Sequence, residues 1–199
     1  PPVGAPDAAT PRVERVPLLA AGLGQSCLVR ADGALVCWGE LLPGREPPTA
    51  GDVRAVPRVV SGPGSVTAVA LGHAHACAVT SERTARCWGA DESGQVGDGT
   101  TAPERPAAPV VDGSGAPWTD LAEVGVGWDA SCARTVRGEV RCWGANGAGQ
   151  LGDGTAAPRP RASIAVRLAA PAEQLSVGFN RACAVLETGA VWCWGRGVG

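Results

Sequence analysis

The sequence lacks several residue types that common classes of function depend on. Among its 199 residues there is no Lys, no Tyr and no Met, a single Phe and two His. The formal net charge is −2, whereas proteins that bind nucleic acid or anionic membranes usually carry a basic patch. No apolar run approaches the length of a membrane-spanning helix. We therefore expect no nucleic-acid partner and no membrane insertion.

Turn-forming residues are abundant instead. Gly occurs 29 times and Pro 17 times, while hydrophobic residues still account for 45%, which is enough for a sizeable core. All 17 basic residues are Arg, a bias typical of GC-rich coding, so we expect a bacterial source. Long helical periodicity is absent, which disfavours a helical bundle.

The sequence repeats itself four times. Each repeat has a Gly, a Cys five residues later, a second Cys ten residues after the first, and then Trp-Gly. The repeat glycines are Gly22, Gly72, Gly127 and Gly178, separated by 50, 55 and 51 residues. We place the repeats at 13–60, 61–111, 112–165 and 166–199, after a lead-in rich in Pro and Ala at 1–12. Repeats two and three continue into nearly identical loops, GQVGDGT from Gly94 and GQLGDGT from Gly149.

The residues around each Cys pair predict a β-hairpin. Apolar and polar residues alternate there, and Val, Leu and Trp are frequent, as in strands. In the first repeat, pairing Cys27 with Cys37 leaves residues 31–33 as a three-residue loop. Such loops favour Gly at the third, left-handed position, which is Gly in three repeats and Arg83 in the second. Hairpin repeats of about 40 to 55 residues predict a β-propeller with one blade per repeat.

The combination G-x-x-x-x-C-A-V, V-x-C-W-G and G-Q-Φ-G-D-G-T resembles the regulator of chromosome condensation repeat in its bacterial form, over residues 13–199. The resemblance implies an all-β fold, a β-propeller of four-stranded blades that usually contains more than four of them. The first repeat lacks the Gly-Gln loop, and the fourth stops where that loop would begin. Three interpretations stay open: a fragment, a smaller ring, or a ring completed by further repeats or by a second copy in a homodimer.

The four Cys pairs have three explanations, namely disulfides, zinc ligands and buried thiols. Zinc sites usually contain ligands about two to four residues apart, and here nine residues separate the members of every pair. Opposed residues of antiparallel strands lie at a distance that a disulfide tolerates. Disulfides would place the protein outside a reducing cytosol: secreted, periplasmic or on a cell surface. The expected bridges are Cys27–Cys37, Cys77–Cys87, Cys132–Cys142 and Cys183–Cys193.

Few residues are candidates for catalysis or metal binding. His73 and His75 are two residues apart and share a face of a strand, but no third ligand is evident nearby. The resemblance implies a structural role for His75. Asp98 and Asp153 lie in Gly-Asp-Gly-Thr loops, where Asp commonly closes a turn through its own side chain. We therefore expect no enzyme activity, no cofactor and no metal site.

The positions that follow the repeat glycines vary, and we interpret them as a binding surface. In plant ultraviolet photoreceptors of the same family, a Gly-Trp-Arg-His-Thr motif places its Trp on the face where partners dock. The resemblance implies the same location for Trp128, although Asp129 and Ala130 replace the Arg and His of that motif. Aromatic and Arg side chains commonly anchor interfaces, but these could equally pack the loop beneath them. The predicted partner-binding residues are His73, Trp128, Asp129, Phe179, Asn180, Arg181 and, from an inserted loop, Trp118.

These observations favour a non-catalytic module that binds a protein partner through one face of the disc. Two alternatives stay open. An enzyme, such as a lyase or glycosidase in the central channel, would need two convergent carboxylates. A purely structural repeat of a larger surface protein would need no binding face. Nucleotide exchange or chromatin binding, as in the eukaryotic namesake, is disfavoured by the negative net charge and the expected disulfides.

Overall fold

The computed structural model describes residues 18–39, 57–60 and 63–197. This part of the chain contains fourteen β-strands and no helix, which confirms the all-β prediction, and no membrane-spanning helix occurs in it. The lead-in and most of the divergent loop of the first repeat lie outside the described residues. The strands are β1 (Leu18–Ala21), β2 (Gln25–Val29), β3 (Leu35–Gly39), β4 (Arg58–Val59), β5 (Val66–Leu71), β6 (His75–Thr80), β7 (Ala85–Asp91), β8 (Ala102–Pro109), β9 (Leu121–Val126), β10 (Ala130–Thr135), β11 (Val140–Gly144), β12 (Ala172–Val177), β13 (Arg181–Leu186) and β14 (Val191–Gly195).

The strands form four antiparallel sheets, which we call blades 1 to 4. Blade 1 is β1–β4, blade 2 is β5–β8, blade 3 is β9–β11 and blade 4 is β12–β14. Blade 3 has isolated bridges in place of a fourth strand, including Arg141 to Ala165 and Gly144 to Arg159. In blades 2, 3 and 4, the first strand packs against the first two strands of the preceding blade, so the first strands are innermost. The described residues form an open arc, and the boundaries assigned to the repeats stay a prediction.

The second and third strands of every blade form the predicted hairpin. Cys27 lies opposite Cys37, and the same register recurs in the other three blades. The third loop residue is left-handed in each, with φ of 83° at Gly33 and 58° at Arg83. Because a left-handed backbone is costly for a residue with a Cβ, Arg83 is a point of strain that the other hairpins avoid.

All four predicted disulfides are present. Their S–S distances lie between 2.05 and 2.09 Å, and no described cysteine is free. The bridges of blades 1, 2 and 3 are fully buried, whereas Cys183 is half-buried and Cys193 is exposed. The zinc and free-thiol explanations are therefore excluded by the pairing.

Each junction between blades is built from the same kinds of side chain. At the junction of blades 1 and 2, blade 1 contributes Cys27, Leu35 and Cys37, and blade 2 contributes Ala78 and Trp88. The side of a blade that carries the disulfide faces the next blade, and we call it the forward side. The opposite side carries the Trp of the Cys-Trp-Gly motif and faces the preceding blade, and we call it the back side. The other junctions pair Cys77, Val79, Ala85 and Cys87 with Val124, Val126 and Trp143, and Cys132, Val140 and Cys142 with Ala182, Ala184 and Trp194.

The repeat glycines bring neighbouring blades together near the axis, and we call Gly22, Gly72, Gly127 and Gly178 the glycine ladder. A Cβ on any of the first three would lie within 3.0 Å of the carbonyl oxygen of the next ladder glycine. The residue after the glycine then donates its N–H across the junction, from Leu23 to the oxygen of Gly72 (3.4 Å) and from His73 to that of Gly127 (3.3 Å). Glycine is required here for close approach of two backbones.

Candidate binding face

The residues that follow the ladder glycines converge on one groove. The turns between the first and second strands of each blade lie side by side near the axis, so the variable positions of all four repeats become neighbours. The groove has a volume of about 410 Å³ and a mostly apolar lining. Its walls are Leu23, His73, Trp128 and Phe179, and its floor is the glycine ladder with Leu71 and Val126.

Three of the wall side chains form a continuous aromatic stack. The rings of His73 and Trp128 are parallel, with centroids 3.5 Å apart and an interplanar angle of 12°. The ring of Phe179 lies 4.4 Å from that of Trp128 at 44°. The N–H of Trp128 also donates to the carbonyl of Phe179 at 3.1 Å, which holds the two turns together. The stack is therefore fixed both by ring contacts and by the backbone beneath it.

The groove is open to solvent at its ends. Leu23 is 76% exposed and Phe179 is 56% exposed, while His73 and Trp128 are half-buried between them. Exposed apolar side chains that form one continuous surface are typical of interaction sites, whereas isolated ones are not. The alternative in which these side chains only pack the loop beneath them accounts poorly for Leu23 and Phe179.

Polar groups border the stack on the side of blades 3 and 4. Partial burial raises the pKa of the Asp129 carboxyl; His73 opposes this shift, and Glu92 adds to it. Asn180 accepts a hydrogen bond from Gln150 at 3.3 Å, and Arg181 is exposed. Asp129, Asn180 and Arg181 follow the wall residues Trp128 and Phe179 in sequence, but none of the three lines the groove itself.

Trp118 does not belong to this surface. It is 6% exposed and packs into the junction of blades 2 and 3, with its ring 6.4 Å from that of Trp143 at 88°. The guanidinium of Arg141 lies over the ring of Trp118, 5.2 Å from its centroid. The expectation of an exposed anchor in the inserted loop is therefore wrong, because the loop folds back and uses Trp118 to cover the core.

His75 is fully buried and serves the junction of blades 2 and 3. Its Nε2 lies 2.7 Å from the hydroxyl of Ser131, which donates in turn to the carbonyl of Gln95 at 3.0 Å. Burial, together with repulsion from His73, lowers the pKa of His75 to about 3 despite a backbone contact at Trp128 that favours the charged form. His75 is thus neutral at physiological pH. The pairing with Ser131 was missed from the sequence, since the two residues are 56 positions apart and belong to different repeats.

The Gly-Asp-Gly-Thr loops are closed by their own side chains, as expected. Asp153 accepts from the backbone N–H and the hydroxyl of Thr155, at 2.9 and 2.8 Å, and pairs with Arg159. Burial alone would raise the pKa of Asp153, but these hydrogen bonds outweigh it and lower the pKa to about 2. Asn146 completes the loop by donating to Asp153 and to the carbonyl of Thr155, at 3.1 and 3.0 Å.

Blade 2 has a carboxylate where blade 3 has that Asn. Asp91 accepts from the N–H of Val96 at 2.9 Å, but its second oxygen is buried and has no hydrogen-bond partner among the described residues. Arg105 lies 3.7 Å from that oxygen and pairs more closely with Asp98, at 3.0 Å. Burial raises the pKa of Asp91 to about 6, and the charge of Asp98 adds to the shift. Over the described residues, no group of three or more His, Cys, Asp or Glu could hold a metal ion.

Comparison with known proteins identifies the repeat. The sequence pattern of the regulator of chromosome condensation (RCC1) repeat matches residues 66–95, 122–150 and 172–198. A relative in Arabidopsis thaliana, the mitochondrial RCC1 domain-containing protein RUG3, is 27% identical over 180 residues, which cover 84% of this chain and 39% of RUG3.

Two solved structures show the same fold. Human WBSCR16 superposes with a TM-score of 0.76 and 17% identity, over 90% of this chain and 47% of that protein. Yeast RCC1 (Prp20), solved with Kap60 bound, superposes with a TM-score of 0.71 and 19% identity, over 89% of this chain and 43% of that one. The chain therefore spans less than half the length of each of these three proteins.

Proposed function

Because the chain belongs to the regulator of chromosome condensation (RCC1) repeat family, we propose that it is a non-catalytic module that binds a protein partner through the aromatic groove. The observation that supports this most directly is the convergence of Leu23, His73, Trp128 and Phe179 from four separate repeats on one solvent-facing surface. Variable side chains on an invariant scaffold are the arrangement in which a repeat protein acquires a specific partner without changing its fold.

The composition of the groove suits a protein ligand. Trp and Phe contribute large contact areas at a low cost in side-chain entropy, and fixed rings lose little freedom on binding. The stack already holds Trp128 between His73 and Phe179, so the anchor is preorganised. Asp129 and Arg181, which follow the groove residues Trp128 and Phe179 in sequence, would supply polar contacts to the partner beside the groove. A relative with the same fold, yeast RCC1, has been solved with a protein, Kap60, bound.

An extracytoplasmic location is part of the proposal. Four disulfides in one short chain persist in an oxidising compartment and are rare in a reducing cytosol. We therefore place binding on a cell surface, in a periplasm or in the extracellular medium.

A capture experiment with matched variants tests the proposal. The wild-type chain, the double variant Trp128→Ala/Phe179→Ala and the control Val136→Ala are immobilised and exposed to the extracytoplasmic fraction of the source organism. Val136 is 45% exposed and lies on a β-hairpin of blade 3, away from the groove. We expect the double variant to lose at least about tenfold in recovery of the specific partner, as expected for hot-spot aromatics, and the control to lose none.

Quantitative mass spectrometry of the captured proteins provides the readout, and circular dichroism verifies that each variant is folded. Equal recovery by the wild type and the double variant would remove the groove from consideration as the binding site.

A further inference from the structure

The Gly-Gln loops of blades 2 and 3 contain matching backbone hydrogen bonds and differ in one closing side chain. In each loop a side-chain oxygen accepts from the backbone N–H five residues later, at 2.9 Å for Asp91 and at 3.0 Å for Asn146. The chain then returns past this side chain through residues 98–102 in blade 2 and 153–157 in blade 3, which we call the return segments. The second oxygen of Asp91 therefore occupies the place of the amide nitrogen of Asn146.

Oxygen atoms surround the place of that nitrogen. Nδ2 of Asn146 donates to the carbonyls of Thr155 and Ala157, at 3.0 and 3.1 Å. It also donates to the carboxylate of Asp153 at 3.1 Å, so it attaches the return segment of blade 3 to the start of the loop. Each acceptor has a counterpart at 98–102, because the sequence DGTTA of blade 2 matches DGTAA of blade 3 at the positions concerned.

An ionised carboxylate repels these acceptors instead of binding them. Oδ2 of Asp91 is fully buried and has no hydrogen-bond partner within residues 18–39, 57–60 and 63–197. A protonated carboxyl, in contrast, donates its hydrogen to one of the surrounding oxygens, as the amide of Asn146 does. Burial and the charge of Asp98 raise the pKa of Asp91 to about 6, which agrees with this geometry.

The charged groups around Asp91 compensate this repulsion only in part. Nε of Arg105, on β8, lies 3.7 Å from Oδ2 of Asp91. The same guanidinium pairs with Asp98 at 3.0 Å and donates to the hydroxyl of Thr100, so it is bound mainly to the return segment. Three further charged side chains lie on the loop or beside it and form no ion pair with Asp91 among the described residues: Glu92, Glu104 and Arg161.

We propose that Asp91 makes the closure of this loop sensitive to pH: the protonated carboxyl holds the return segment of blade 2 in place, and ionisation releases residues 98–102. Release lets water solvate the charged carboxylate, while Arg105 remains paired with Asp98 on the released segment. The loop of blade 3 stays closed at the same pH, because the amide of Asn146 does not ionise. The proposal is independent of the aromatic groove.

The return segment borders the junction of blades 2 and 3. The N–H of Gly99 donates across this junction to the carbonyl of Pro160 at 2.7 Å. Residues of both loops line one cavity of about 340 Å³, to which blade 2 contributes Ser93 and Thr101, and blade 3 contributes Pro158 and Pro160. Since Thr101 belongs to the return segment, its release changes the wall of this cavity.

Hydrogen exchange of the disulfide-intact chain at pH 5 and pH 7.5, read by peptide mass spectrometry, tests the proposal. Labelling times are scaled by the intrinsic exchange rate at each pH, so that only changes in protection remain. With a pKa of about 6 for Asp91 in the closed loop and the ordinary value after release, release becomes about tenfold more favourable between these pH values. We therefore expect peptides from 92–102 to lose about tenfold in protection, and those from 147–157 to keep theirs.

Two reciprocal variants are the matched controls. Asp91→Asn gives blade 2 the amide of blade 3 and is expected to abolish the pH dependence at 92–102. Asn146→Asp gives blade 3 the carboxylate and is expected to cause loss of protection at 147–157 at pH 7.5. If Asn146→Asp does not fold, the comparison of wild type with Asp91→Asn decides alone. Full protection of 92–102 at pH 7.5, equal changes in both wild-type loops, or the same loss in Asp91→Asn would overturn the proposal.

Discussion

At the scale of single residues, the second and third repeats differ in the side chain that closes the Gly-Gln loop, which is a carboxylate in one and an amide in the other. Asn146 closes its loop with an amide that donates to Asp153 and to a backbone carbonyl. Asp91 occupies the same place in blade 2, and a carboxylate has no proton to donate there. Its second oxygen remains buried beside Asp98, and the charge is offset only in part by the N–H of Val96 and by Arg105. The second repeat thus contains a local electrostatic conflict that the third avoids.

We predict that Asp91→Asn stabilises the protein at neutral pH. The pKa of Asp91 is raised from about 4 to about 6, so the folded state favours the protonated carboxyl, and stability is lost as the pH rises through about 6. The variant has no such loss. Its advantage in the free energy of unfolding is expected to be small at pH 4 and to reach about 2 to 3 kcal/mol above pH 6. Denaturant titrations of both proteins across this range measure it.

The conservative change Asp98→Asn serves as the comparison, since it removes the neighbouring charge but keeps Asp91 ionisable. A difference between wild type and Asp91→Asn that is the same at pH 4 and pH 7 would contradict the assignment. His75 acts with the opposite sign, because its pKa of about 3 makes the folded state less stable as the pH falls below about 6.5. The two groups therefore offset each other in the wild type between about pH 4 and pH 6, and Asp91→Asn exposes the contribution of His75.

At the scale of the blade, the Trp of the Cys-Trp-Gly motif in the third and fourth repeats hydrogen-bonds to the repeat before it. Trp143 donates its indole N–H to the carbonyl of Gln95 at 2.9 Å, and Trp194 donates to that of Gln150 at 3.0 Å. Both acceptors belong to the Gly-Gln loop of the preceding repeat. The first repeat has no such loop in its sequence, and Nε1 of Trp88 is buried without a hydrogen-bond partner among the described residues.

This contrast predicts unequal costs for the same substitution. Trp143→Phe removes a hydrogen bond and leaves the carbonyl of Gln95 with one donor fewer, whereas Trp88→Phe removes a donor that has no partner within residues 18–39, 57–60 and 63–197. Both side chains are fully buried, so the loss of packing is similar. We expect Trp143→Phe to lower the free energy of unfolding by about 1 kcal/mol more than Trp88→Phe. Paired chemical denaturation experiments measure the difference, and equal costs would show that the indole hydrogen bond contributes nothing.

Much of the blade could be predicted from sequence because its determinants are local. A three-residue loop fixes which residues of the hairpin oppose each other, so the pairing of Cys27 with Cys37 followed from the position of the turn. The common face of Trp128 and Phe179 followed in the same way from equivalent positions in successive repeats. Their stacking did not, since ring contacts depend on how closely the ladder glycines bring the blades together.

The sequence did not predict side-chain contacts between different repeats. The loop around Trp118 is polar and rich in Gly, which indicates exposure, yet its Trp meets Trp143 and Arg141 across a junction. The partnership of His75 with Ser131 depends on a similar contact between repeats. One signal was present in the sequence: Ser131 stands where repeats two and four have Ala, in the repeat directly after the one with the buried His.

At the scale of the whole molecule, the arc makes its four disulfides unequal. The bridges of the first three blades are shielded by the following blade, whereas residues 18–39, 57–60 and 63–197 leave that of blade 4 accessible. A thiolate reductant must reach a sulfur atom to attack it, so access governs the order of reduction.

We predict that limited treatment with a thiol reductant opens Cys183–Cys193 first. Alkylation followed by peptide mass spectrometry should label these two residues before Cys132 and Cys142, which form the equivalent bridge in blade 3 and are at most 1% exposed. Labelling of all four bridges at one rate would contradict the difference in access.

The close approach of the ladder glycines also determines how wide each repeat is at the axis. The angular step between neighbouring blades depends on that width, because thinner wedges leave room for more of them around a circle. A methyl group at any of the first three ladder glycines would therefore push two neighbouring blades apart near the axis and widen the step from one blade to the next.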